Sequence, residues 1–221
     1  MTKEQAIKEL ERFNKGGRIM GQRLNIEIAK NGEVLANSYY HWSGFSNSAV
    51  NLTIQIINNF EYIKKYRVEE YIKKQDLLFA IRLLEETGAG VNDIEKTRKL
   101  LEDQTMNLKL KPCENRNEGI IGVTKEDIEE TRYWEEGRVS IDIEKKTIDF
   151  NVINKYTIEE FKEDYDEEEI KEMNIKEINR SFKNIPFEDI FELKAFIDKS
   201  NYNGQYCFYN KKDNKYIFLI Q

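Results

Sequence analysis

Residues 21–58, GQRLNIEIAKNGEVLANSYYHWSGFSNSAVNLTIQIIN, carry the reading on which the fold turns. Leu24, Ile26 and Ile28 alternate with Arg23, Asn25 and Glu27, the period of two expected of a β-strand with two chemically different faces. Asn31-Gly32 follows, a pair suited to a type I′ hairpin turn because both central positions need positive φ. The return strand is predicted from about Glu33 to Trp42, and a Ser/Gly-rich bend then leads into a helix capped by Ser46 or Asn47. Val50, Leu52, Ile54, Ile56, Ile57, Phe60 and Ile63 cover most of that helix's circumference, which predicts a central helix packed on more than one side. The order predicts an α+β fold: β-hairpins packed with several amphipathic helices, with a mainly antiparallel sheet.

Outward from this stretch the same signals recur. Upstream, Thr2 and Gln5 form a capping-box pattern for an amphipathic helix ending at Gly16-Gly17. Downstream, a second helix runs to Thr87 and Gly88 stops it, and Asn92 with Glu95 reads as the capping box of a third. Residues 108–118 are loop-like and serve as a possible linker between an N-terminal α+β part, 1–107, and a C-terminal one, 119–221, that together form one or two domains. In the second part, Gly119–Val123 is a short apolar strand, and Thr124 caps a helix reaching about Glu136. Val139, Ile141 and Ile143 pair with Ile148, Phe150 and Val152 in a second hairpin. Thr157 and Glu160 cap a short helix before an acidic run, residues 163–169. Pro186 suits the first turn of a helix burying Phe187, Ile190, Phe191 and Ile197. A last hairpin, Tyr206 to Ile220, is apolar on both faces, which predicts a place inside a sheet or cover on both sides, with pairing across a homodimer open to it.

Composition narrows the function classes. The 221 residues are long enough to bury a core without staples, and 12% aromatics supply large pieces of it. The sequence has no 18-residue apolar run and its first residues do not read as a signal peptide, so a cytoplasmic protein with no membrane partner is expected. Cys113 and Cys207 match no metal spacing and are expected as reduced, structural thiols; with His41 as the sole histidine, no metal site and no cofactor are predicted. The net charge of −6 is uneven: residues 124–172 hold 18 acidic and 8 basic residues, so the excess lies in one segment. Direct nucleic-acid binding is disfavoured by that balance, and Lys64, Lys65, Arg67, Lys73 and Lys74 read as a solvated basic face.

The hairpin holds the candidate site. Asn37, Tyr39 and His41 share one face of the return strand, and a register that sets them beside Arg23, Asn25 and Glu27 gathers a guanidinium, a carboxylate, two amides, a phenol and an imidazole. Trp42, Ser43, Gly44, Ser46 and Ser48 then bring hydroxyls and backbone N–H groups to a helix start, which favours an anion such as phosphate. The bland alternative is that Ser46, Asn47 and Ser48 only cap the helix and Tyr39 to Trp42 only pack on it. His41 has the chemistry of a general acid or base, although nothing in the sequence sets a nucleophile beside it. In the acidic run, Glu167, Glu168 and Glu169 are candidates for contact with a basic protein surface; the spacing of a calcium loop is absent.

The wording of Gly21–Ile28 and of Ala36–Gly44 resembles small accessory proteins of phages and prophages of Gram-positive bacteria. That resemblance covers about the first 60 residues. It implies a viral protein acting in the host cytoplasm as an anti-defence inhibitor, either by sequestering a nucleotide or by binding a host defence protein. The expected function is therefore non-enzymatic binding of a nucleotide-like anion or of a host protein. Two alternatives stay open: an acidic, nucleic-acid-mimicking inhibitor of the anti-CRISPR kind, and a small hydrolase using His41.

Overall fold

The computed structural model describes residues 23–41, 43, 46–66, 72–103, 108–115, 119–133, 135, 137–152, 181–199, 206–210 and 215–219. The opening hairpin is as the residues foretell. β1 (Leu24–Lys30) and β2 (Glu33–Tyr40) pair antiparallel, and Asn31 and Gly32 turn between them with φ of 53° and 86°. β2 stops at Tyr40, short of the expected Trp42, and His41 lies in a bend just beyond it.

α1 (Ser46–Tyr66) and α2 (Gln75–Glu85) follow and cover one face of this hairpin. On α1 the buried positions Val50, Thr53, Ile56, Phe60 and Ile63 recur every three or four residues, while Leu52, Ile54 and Ile57 are only half-covered. α1 packs on more than one side, as expected, and α2 is enclosed still more fully, with Leu77–Ile81, Leu83 and Leu84 all buried. Phe60 joins these helices to a later part of the chain, meeting Phe79 edge-on at 5.5 Å and Phe187 at 5.6 Å.

β3 (Gly90–Val91), α3 (Ile94–Leu101) and β4 (Ile120–Gly122) form a short strand–helix–strand unit whose strands run parallel. Asp93, not Asn92, caps α3, its carboxylate accepting the Lys96 N–H at 2.9 Å. The register moves by one residue because Asp93 is the last extended residue before the helix, which leaves Asn92 available elsewhere. α4 (Lys125–Tyr133) begins with a capping box between Thr124 and Asp127, each backbone N–H reaching the other's side chain at 3.2 Å. β5 (Gly137–Asp142), β6 (Thr147–Val152), β7 (Ser181–Pro186) and α5 (Asp189–Lys199) complete the main body.

The strands form one seven-stranded mixed sheet in the order β3-β4-β2-β1-β5-β6-β7, with four antiparallel and two parallel pairings. This is the α+β architecture expected. Strands from either side of residues 108–118 hydrogen-bond directly to one another, β1 lying between β2 and β5. Leu108 and Leu110 are buried, and Val91 exchanges backbone bonds with Lys111 and Cys113.

Three expectations in the C-terminal part change. Residues 181–186, where no strand is expected and Pro186 reads as a helix start, form edge strand β7, where Pro186 closes the strand and its missing N–H costs no ladder bond. Phe191, expected inside, is 45% exposed, while Phe187 and Ile190 are buried as foreseen. The last hairpin is present, β8 (Tyr206–Asn210) pairing with β9 (Lys215–Leu219), but as a separate two-stranded sheet and not inside a larger one. The helix expected from Thr2, the Thr157 cap and the acidic run with Glu167, Glu168 and Glu169 lie outside the described residues.

Candidate binding site

β1 is buried on both faces, by two different chemistries. Leu24, Ile26 and Ile28 point into the apolar core with Val139, Ile141, Ile148 and Phe150 of the neighbouring strands. On the other face Asn25 pairs across the ladder with Tyr39, and Glu27 with Asn37, so the register does set these side chains together. The parallel partner β5 adds Arg138 beside Asn25 and Ser140 beside Glu27.

α4 lies over this polar face. Ile128 is its one buried side chain among the described residues, so ionic and hydrogen-bonded contacts carry much of the docking. Arg132 donates from Nε to Glu27 Oε1 at 2.7 Å, and a second guanidinium nitrogen lies 2.6 Å from the same oxygen. Just past the helix, Glu135 receives Arg138 and also accepts from Asn25 Nδ2 at 2.8 Å. Arg138 also approaches Glu27, at 3.5 Å. Two carboxylates therefore sit among two guanidiniums and their charges cancel. Glu27 is 2% exposed, and its hydrogen bond holds the Arg132 pKa above the ordinary guanidinium value against the opposing effect of burial.

The amides extend the network. Asn37 Nδ2 donates to Asn25 Oδ1 at 3.3 Å and to Thr131 Oγ1 at 2.7 Å, and the Thr131 hydroxyl donates to the Ile128 carbonyl at 3.0 Å. Asn25, Glu27 and Asn37, three members of the predicted polar face, are thus consumed inside the protein. They do not line a ligand space.

The rest of that face opens. Arg23, Tyr39 and His41 line a cavity of about 550 Å³, floored by Ile120, Ile121 and Gly122 of β4. α4 closes its other side with Asp127, Glu130 and Thr131, and Asn92 completes it. The direction of the cavity follows from the ladder. Gly122 pairs with Asn37 and Ile120 with Tyr39, and His41 lies one step further along the same face. One end is therefore walled by Gly122 and α4, the other by His41 and Arg23. Tyr39 stands between, its hydroxyl 3.1 Å from His41 Nδ1 with the two rings edge-on at 6.3 Å.

The ends differ in charge. At the α4 end, Asp127 is paired with Lys96 at 3.0 Å. Burial opposes its charge, but Lys96 and the Thr124 hydroxyl and N–H outweigh that and hold its pKa below the ordinary carboxylate value. Glu130 is exposed and adds a second carboxylate. Arg23 supplies a cation at the opposite end.

Of the other residues singled out in the sequence, Ser43 and Ser48 are half-buried and neither lines this cavity. Trp42 and Gly44 fall outside the described residues, as does the Ser46 side chain, although Ser46 opens α1. Thr131, Arg132, Glu135 and Arg138 were not legible as partners of the hairpin, being 94 to 111 residues away from the hairpin groups they meet. Among the described residues no group of three or more His, Cys, Asp or Glu side chains is placed to hold a metal ion, and no described helix is long and apolar enough to cross a membrane. Compared with known proteins, the chain matches no family model, no curated protein and no solved structure, so its own geometry is what speaks to its function.

Proposed function

We propose that this chain is a binding protein whose ligand is a small nucleotide, held in the cavity between β2, β4 and α4. The observation that carries the reading is the polarity of a preformed space of about 550 Å³, within the usual range for small-ligand sites. Arg23 at one end suits a phosphate, and the Tyr39 and His41 rings suit a planar base. Asp127 and Glu130 at the other end suit hydroxyl and amino donors.

The balance of charge limits the ligand. Asp127 is already paired with Lys96, which leaves one carboxylate, Glu130, and one guanidinium, Arg23, on the lining. A site without an excess of positive charge disfavours a highly charged polyphosphate and favours a monophosphate or a small signalling nucleotide. The Glu27–Arg132 and Glu135–Arg138 pairs hold the α4 wall in place, so little ordering is left to do on binding. Sequestration of such a nucleotide fits the anti-defence role implied by the phage resemblance.

Scanning calorimetry with a panel of nucleoside monophosphates and cyclic dinucleotides tests the reading. At least one member at 1 mM, a concentration on the order of 100 times a ~10 μM Kd, raises the midpoint as expected for about 2.7 kcal/mol of linkage. Arg23→Ala removes most of the shift. A panel in which no member moves the midpoint overturns the reading. Nucleotide turnover that is lost in His41→Ala would replace it with the hydrolase alternative.

A further inference from the structure

Most of the hydrogen-bonding capacity at the α4 end of the cavity is already spent within the protein. Asp127 meets Lys96 through both carboxylate oxygens, at 3.0 and 3.3 Å, and its Oδ2 also accepts the Thr124 N–H at 3.2 Å. The Thr131 hydroxyl donates to the Ile128 carbonyl and accepts from Asn37 Nδ2. Little is left to either for directing a ligand.

Glu130 and Asn92 differ from them. Both line the cavity, both are exposed, and neither side chain hydrogen-bonds or ion-pairs with another of the described residues. Glu130 stands about one helical turn past Asp127 on α4. Asn92 follows Val91, whose partner in the parallel ladder is Ile121, so the next step sets Asn92 level with Gly122 at the same end. Because Asp93 caps α3, the Asn92 carboxamide is not drawn into that role.

A carboxylate offers acceptors only, as two parallel oxygens, and is matched best by two adjacent donors. Among the common bases that pattern belongs to guanine, whose N1–H and N2 amino group lie side by side. Adenine and cytosine set a ring-nitrogen acceptor beside their amino group, and uracil flanks its N–H with carbonyls on either side. Each of these turns a lone pair toward a carboxylate. The guanine edge ends in O6, an acceptor suited to the donating nitrogen of a carboxamide.

We infer that the cavity selects guanine among nucleotide bases, with Glu130 as the specificity-determining acceptor for N1–H and the N2 amino group and Asn92 as the donor to O6. The inference rests on the nucleotide reading of the site and adds the base to it. A guanine held by this edge directs its ribose and phosphate away from Glu130, toward the end where Arg23 lies.

Titration calorimetry of the full chain with GMP, IMP and AMP tests it, because IMP differs from GMP only in lacking the N2 amino group. GMP is expected to bind about tenfold tighter than IMP, the worth of one charge-assisted hydrogen bond, and tighter than AMP. Glu130→Gln, at an exposed position outside the core, is expected to bring GMP to within about twofold of IMP. Equal affinities for GMP and IMP, or tightest binding of AMP, overturn the guanine assignment and leave the cavity as a nucleotide site. A preference for GMP that survives in Glu130→Gln also overturns it. If none of the three binds while another nucleotide of the calorimetric panel does, the guanine assignment fails alone. If no nucleotide of that panel binds, the nucleotide reading fails with it.

Discussion

The two faces of β1 make the instructive comparison in this molecule. Both are buried, and residues 24–29 alternate between them. On the α1–α2 side, Leu24, Ile26 and Ile28 lose water to other hydrocarbon, an interaction without direction that tolerates substitutions of similar volume. On the α4 side, Asn25 and Glu27 lose water only because Glu135, Arg132, Arg138 and Asn37 replace it group by group, and Asn37 in turn is held by Thr131. That exchange is directional, and each member fixes the next. The apolar face supplies stability; the polar face supplies one unambiguous arrangement of side chains behind the cavity.

The sharpest way to break the comparison is to make the polar face apolar. Glu27→Leu leaves Arg132 and Arg138 without their shared carboxylate, a loss of about 3–4 kcal/mol after allowing for their partial exposure. Ile26→Leu, one residue away on the other face, costs under about 1.5 kcal/mol. Urea unfolding of the two variants measures the contrast, and equal losses would mean that the two faces are interchangeable.

Asp142 shows the directional chemistry on a smaller scale. Its carboxylate accepts from the N–H groups of Asn31 and Gly32 in the first hairpin turn and of Glu144 and Lys145 in the second. Burial opposes the charge, but these donors outweigh it and hold the pKa below the ordinary carboxylate value. A depressed folded-state pKa means stability that is present above about pH 4 and is lost as pH falls through the folded value. Asp142→Asn is expected to lose about 1–2 kcal/mol at pH 7. The melting curves of variant and wild type should converge toward pH 2, and a gap that is constant with pH would assign the effect to packing instead.

The least effect is expected where solvent surrounds the charges. Lys73 and Glu102 stand 2.9 Å apart on the surface, and the contact raises the pKa of one and lowers that of the other. Lys73→Ala should leave the melting midpoint unchanged within error, because water and salt screen an exposed pair. A clear drop would show that ion pairs here do not need burial to matter.

Much of this architecture is legible in the residues themselves. The alternation in β1, the Asn31-Gly32 turn, the Thr124 cap and the helix α1 are local, and local sterics and periodicity decide them. The same locality explains the misses. β3 is two residues long, too short to show a period, and β7 carries a proline that reads equally as a helix start. The cap of α3 moved from Asn92 to Asp93 because two neighbouring residues both suit the role and packing chose between them.

The candidate site divides along the same line. From its sequence alone, β2 places Asn37, Tyr39 and His41 on one face, and the hairpin turn sets them against Asn25 and Glu27. Which of these are consumed and which stay open depended on where α4 landed, about 100 residues later in the chain. Helix docking satisfies Glu27 with Arg132, shuts Asn25 and Asn37 away, and leaves Arg23, Tyr39 and His41 facing Asp127 and Glu130. Periodicity assigns a side chain to a face, but only the packed elements above that face decide whether it meets protein, ligand or water.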